Sequence, residues 1–162
     1  PVALSYEYDP CDFLKAKEMQ QKRDSETFKK SQADDLTNMQ TGIFGYKGRV
    51  HFQTGLCINE ELEALRGLPK TEVFTQVSAL IDKYIHRNYR LYPGNYVACD
   101  LLNGTETFAG KYSPEEKKRF EAYLQKKLDL IQLPNKDEDF LRQRILTMYA
   151  NPAINHLKAI AQ

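Results

Sequence analysis

Only two stretches of this 162-residue chain alternate as a half-buried strand does, and they stand far apart. In Pro1-Val2-Ala3-Leu4-Ser5-Tyr6-Glu7-Tyr8, the side chains of Val2, Leu4, Tyr6 and Tyr8 fall on one side and those of Ala3, Ser5 and Glu7 on the other. After a turn at Tyr46-Lys47-Gly48, Val50, Phe52, Thr54 and Leu56 alternate with Arg49, His51, Gln53 and Gly55. Two strands do not make an independent sheet, since roughly three or more with a covered face are needed. The first strand begins at the first residue, which is Pro1 and not Met, so the sheet is expected to continue in residues before it. The expected fold is therefore an α/β remnant, mostly α-helical, with two short strands, Val2 to Tyr8 and Arg49 to Leu56.

The remaining patterns are helical. Asp9-Pro10-Cys11-Asp12 reads as a helix start, with Asp9 as cap, Pro10 at the first position and Asp12 at the positive end of the dipole. From Gln20 to Thr41 the composition is polar, with Phe28, Leu36 and Met39 as sparse apolar positions, which predicts a surface helix and a flexible connection. The stripe Val73, Val77, Leu80, Ile81, Tyr84 and Ile85 predicts a helix from Thr71 to near Asn88 that faces a core. Asn95 to Leu102 reads as a short helix within a compact link. Ser113-Pro114-Glu115-Glu116 is a capping box, followed by a buried face of Phe120, Tyr123, Leu124, Leu128 and Ile131. Asn135 is read as the cap of another helix ending at Pro152, with a last helix beyond it.

Charge and composition exclude several classes. Lys plus Arg number 23 against 22 Asp plus Glu, so no bulk field attracts nucleic acid. No apolar run approaches the ~20 residues of a membrane span. The three cysteines, Cys11, Cys57 and Cys99, are widely spaced and cannot all pair; they are read as small buried hydrophobes in a reducing, cytoplasmic setting. No metal-ligand spacing links these cysteines with His51, His86 and His156, and no phosphate-cradling glycine loop is present, so no metal or cofactor is expected. The segment from Tyr84 to Tyr96 interleaves basic and aromatic groups. His86, Arg87, Tyr89 and Arg90 are candidate anion or headgroup contacts, because guanidinium forks suit phosphate and Tyr suits a membrane interface. The competing reading packs the rings under the loop and pairs both arginines with local carboxylates. Lys117, Lys118, Arg119, Lys126 and Lys127 alternate with Glu115, Glu116 and Glu121 and read as a solvated helix face.

Pro1-Val2-Ala3-Leu4-Ser5-Tyr6 resembles the fourth conserved block of the glycerolipid and lysophospholipid acyltransferase superfamily, a hydrophobic strand with a characteristic Pro. Tyr46 to Gly55, followed by Ile58, is similar to the strand that closes that domain in many members. The Tyr8-Asp9-Pro10-Cys11-Asp12 continuation and the Ile85 to Tyr96 stretch resemble a bacterial subgroup with a helical C-terminal extension, a likeness that covers nearly the whole chain.

The resemblance implies an enzyme that moves a fatty acyl group from a coenzyme A or acyl-carrier-protein thioester to a hydroxyl of a (lyso)phospholipid, glycerol phosphate or related polar acceptor. It also implies peripheral contact with the inner face of the cytoplasmic membrane. The family's base is a His with an orienting Asp five residues later. Leu56, Leu91 and Ala161 stand at that distance from His51, His86 and His156, so no catalytic residue lies in this chain, and a Phe-Pro-Glu-Gly-Thr-like block is absent as well. Only Pro1 carries over, as a pocket-lining or structural residue. The competing class is a non-catalytic helical binding or interaction module. The resemblance also divides the chain into residues 1–66, the C-terminal end of the acyltransferase α/β domain, and residues 67–162, a helical extension, and the strand edges left open by such a truncation predict dimers or aggregates.

Overall fold

The computed structural model describes residues 1–161. In chain order it contains β1 (Val2–Tyr6), α1 (Asp12–Asp24), α2 (Gln32–Phe44), β2 (Val50–Thr54), α3 (Asn59–Glu63), α4 (Lys70–Arg87) and α5 (Pro93–Asn103). A 3-10 turn at Ala109–Lys111 leads to α6 (Pro114–Asp129) and α7 (Glu138–Ile160). The chain is mostly helical with one two-stranded antiparallel sheet, the class expected from the sequence. No helix among the described residues is long and apolar enough to cross a membrane.

The strands pair from Val2↔Thr54 to Tyr6↔Val50. Regular strand stops short of Tyr8 and Leu56, but Glu7 N–H donates to Arg49 C=O at 2.9 Å and Tyr8 N–H to Lys47 C=O at 3.0 Å. Gly48, at φ 64°, makes the turn before β2; a Cβ there would lie 2.8 Å from Glu7 Oε2. The small residues Ala3 and Ser5 face inward and are buried, whereas Val2, Leu4, Tyr6, Val50 and Phe52 are exposed, Phe52 at 68%. The apolar side of the ribbon thus points outward. Ser5 explains the choice, since its Oγ accepts from Arg90 N–H at 3.0 Å where a larger side chain would hold the ribbon off.

The core lies among α1, α5, α6 and α7. Far from being a link, α5 is central: Val97, Ala98 and Cys99 are buried against α7. Ala16 of α1 belongs to the same core, so α1 packs with the helices that follow residue 66. Gln20, also buried, ties α1 to the link before α7, donating to Asn135 C=O at 2.6 Å and accepting from Asp137 N–H at 3.1 Å.

Helix ends follow local chemistry with some shifts. Ser113 and Glu116 form the expected capping box, at 3.2 and 2.8 Å. Helix α1 starts at Asp12 because Asp9 Oδ1 accepts from Cys11 N–H at 2.9 Å and closes a turn first. Asp137, not Asn135, caps α7 by accepting from Phe140 N–H at 3.0 Å. Pro152 does not end α7, which continues to Ile160. An internal Pro deprives the carbonyl four residues earlier, here that of Met148, of its helical donor. Helix α5 meets the next two carbonyls of the same turn: Tyr149 C=O accepts from Asn95 Nδ2–H at 2.8 Å, and the Cys99 thiol lies 3.7 Å from Ala150 C=O.

Helices α2, α3 and α4 contribute no fully buried residue to this core. Helix α2 has a Ser31–Asp34 capping box yet buries no residue. It is held to the corner before α1 by Asn38, whose C=O accepts from the Cys11 thiol at 3.4 Å, with Gly42 beside the same sulfur, while Leu36, Met39 and Ile43 face solvent at 55%, 61% and 62% exposure. The stripe of α4 is half-buried along its length and not fully covered; the helix packs on α7 and β1.

Candidate functional site

Asp12 opens α1 and is fully buried. Its Oδ1 accepts from Phe13 N–H at 2.6 Å, and its Oδ2 accepts from the hydroxyls of Tyr123 at 2.6 Å and Tyr149 at 2.8 Å. The two hydroxyl oxygens are 2.9 Å apart, and Tyr149 also accepts from Asp9 N–H at 2.9 Å. Lys127 Nζ stands 3.2 Å from Oδ1, between the rings of Phe13 and Tyr123, and donates to Pro10 C=O at 3.3 Å. Burial first, and the Asp12 charge second, hold both phenols far above the ordinary tyrosine range. Phenols so placed keep their protons, so the cluster donates hydrogen bonds and supplies no phenolate base. A second buried carboxylate, Asp100, accepts from Tyr112 at 2.8 Å and Thr105 at 3.0 Å, and burial with that carboxylate pushes the Tyr112 phenol up to about 12.

Beside Asp12 a groove of about 630 Å³ opens between α2 and α6. Arg119, Ala122, Lys126 and Leu130 form one wall, spaced three or four residues apart on the exposed side of α6. Thr41, Gly45 and Tyr46 form the other, and Tyr8, Pro10, Phe13 and Tyr123 the floor. The aromatic floor is tight, with the Tyr8 and Tyr123 ring centroids 4.4 Å apart. Gly45 permits the approach of α2, since a Cβ there would fall 2.3 Å from Pro10 Cβ. No carboxylate lines the groove, and among the described residues neither Arg119 nor Lys126 has a carboxylate partner. Sequence reasoning assigned these cations to a solvated face. Their spacing around the small Ala122 is the only local trace of the groove, whose other walls come from distant segments.

The residues singled out by sequence are only partly brought together. Tyr89 and Arg90 line a cleft of about 180 Å³ with Leu4, Ser5, Asn95 and Tyr149, and His86 and Arg87 are not among its walls. Burial raises the Tyr89 phenol, whose ring lies 5.4 Å from that of His86. Among the described residues neither Arg87 nor Arg90 forms an ion pair, so the local pairing considered for them does not form. His156 Nδ1 donates to His86 C=O at 2.9 Å, which fixes its tautomer. Pro1 accepts from Gly55 N–H at 2.8 Å and anchors the end of the ribbon. Of the three thiols, Cys99 is buried and Cys11 half-buried, but Cys57 is exposed, so the expectation of three buried cysteines fails for Cys57, in the coil after β2. No group of His, Cys, Asp and Glu among the described residues is arranged to hold a metal ion.

No protein-family model, curated protein or solved structure matches the chain.

Proposed function

We propose that the chain is the C-terminal part of a glycerolipid and lysophospholipid acyltransferase, working at the inner face of the cytoplasmic membrane. The observation that carries this reading is the pairing of β1 with β2. The two segments that bear the resemblance lie side by side, and the N–H and C=O groups of Val2, Leu4 and Tyr6 point away from β2, where a further strand of a larger sheet would bond. In the reaction the acceptor hydroxyl oxygen attacks the thioester carbonyl, the C–S bond breaks and the thiol leaves with the proton. A positioned base must take that proton from the hydroxyl. No His of the described residues pairs with a carboxylate, so on this reading the base and its orienting Asp belong to other parts of the protein.

The test has two steps. The reading frame before Pro1 should encode His-x-x-x-x-Asp, and the protein it encodes should release thiol from acyl thioesters when lysophospholipid or polyol acceptors are added. Residues 1–162 alone should not. Turnover by residues 1–162 would refute the placement of catalysis elsewhere. A frame with no such motif would favour a second reading, a non-catalytic interaction module, which the outward stripe of α2 supports.

A further inference from the structure

We propose that the groove between α2 and α6 is a docking site for a proline-rich segment of another protein, bound as a polyproline II helix over Tyr46, Tyr8 and Tyr123 with an acidic side chain directed to Lys126. The proposal involves no step of acyl transfer and holds equally for a non-catalytic module.

The first argument is the form of the floor. Tyr46, Tyr8 and Tyr123 follow one another with ring centroids 5.9 and 4.4 Å apart and planes 27° and 40° from parallel, and Phe13 and Pro10 extend the same apolar surface. A row of this length is on the scale of one three-residue turn of polyproline II, about 9 Å. Tyr46 and Leu130 are exposed at 75% and 51%, so apolar surface on both walls stands in water until a partner covers it. Proline rings pack on such aromatic rows, and the segment is extended before it binds, so little ordering entropy is lost.

The second argument is hydrogen-bonding character. The hydroxyls of Tyr8, Tyr46 and Thr41 and the Lys126 ammonium each offer a donor, and no carboxylate or side-chain amide lines the groove. A polyproline II segment is the matching backbone, because it makes no internal hydrogen bonds, leaves its carbonyls open and lacks N–H at every proline. An α-helix presents the reverse, a surface whose carbonyls are already used. Charge selects the flank. Lys127 is committed to Asp12 and Pro10, and Arg119 also lines a neighbouring cleft with Glu7 and Glu116. That leaves Lys126, exposed and in no ion pair among the described residues, as the cation for a ligand carboxylate. No two prolines of residues 1–162 lie closer than nine positions, so a second copy of these residues does not supply the segment.

The probe is the acetylated and amidated peptide Pro-Pro-Leu-Pro-Pro-Glu, titrated by calorimetry into residues 1–162. Ala-Ala-Leu-Ala-Ala-Glu, which restores the N–H groups and loses the fixed backbone, Pro-Pro-Leu-Pro-Pro-Gln, which loses the charge, and a long acidic amphipathic helix are the controls. We expect saturable one-to-one binding of the probe, at least about tenfold tighter than the alanine peptide or the helix. The Gln peptide should bind about threefold more weakly, and the Lys126→Gln protein should bind the Glu and Gln peptides equally. Tyr46→Ala should weaken binding by about tenfold, and Ala122→Trp, which fills an exposed wall, should abolish it. Circular dichroism melts should be unchanged for all three variants, which separates loss of the site from loss of the fold. Equal affinity for the alanine peptide, tighter binding of the helix, no saturable binding, a Glu preference that survives Lys126→Gln, or variants that fold and bind as before would each overturn the proposal.

Discussion

At the scale of single residues, Asp12 joins the β1–α1 corner to α6 and α7 through two phenols. Tyr149→Phe removes a donor to this carboxylate and the acceptor of Asp9 N–H, and should cost about 1–3 kcal/mol in a urea titration. Asp12→Ala leaves both phenols and Lys127 without their partner and should cost more, about 3–5 kcal/mol. Glu7 gives a pH prediction. Its hydrogen bonds to Arg49 hold its carboxyl below the ordinary value of 4.5, so the unfolded chain takes the proton first. The stabilisation is complete above the ordinary carboxylate range and is lost as pH falls through the lowered value. Because the Arg49 side chain is 62% exposed, the loss is about 1 kcal/mol or less, and Glu7→Gln should flatten that limb of a stability–pH curve. The sequence placed Asp12 correctly at a helix start but showed only its local role. Its phenol partners lie 111 and 137 residues away, beyond any pattern of spacing.

At the scale of elements, the Ser113 cap was legible because its partner Glu116 lies three residues away, whereas Asp9 and Asn135, read as caps, give way to Cys11 and Asp137. Ser113→Ala should lower stability by about 1 kcal/mol, since α6 contributes Phe120, Leu124 and Leu128 to the core. Ser31→Ala removes an equivalent cap from α2, which buries nothing, so the global midpoint should hold while amide exchange in α2 accelerates. A shift of the global midpoint by Ser31→Ala would mean that α2 unfolds only with the core. Periodicity predicted both strands but not which face is buried, because an alternating pattern has two faces and only the tertiary contact of Ser5 with Arg90 selects one. Pro152 was read as a stop because its effect on the helix is local, whereas the groups that meet the preceding carbonyls come from α5.

At the scale of the whole molecule, the outer edge of β1 and the apolar face of the ribbon are open. Residues 1–162 should therefore associate at rising concentration in light scattering, and Leu4→Lys, a charge on the exposed face of β1, should reduce that association. A monomer at all concentrations would show that the edge does not recruit another chain. The Asp12 clamp sets a schedule for synthesis. The carboxylate is made first, and its partner Tyr149 follows 137 residues later, on the order of ten seconds of ribosome travel. During that interval the β1–α1 corner lacks its second phenol and stands open to chaperones and to mispairing at the edge of β1, until α7 completes an element made well before it.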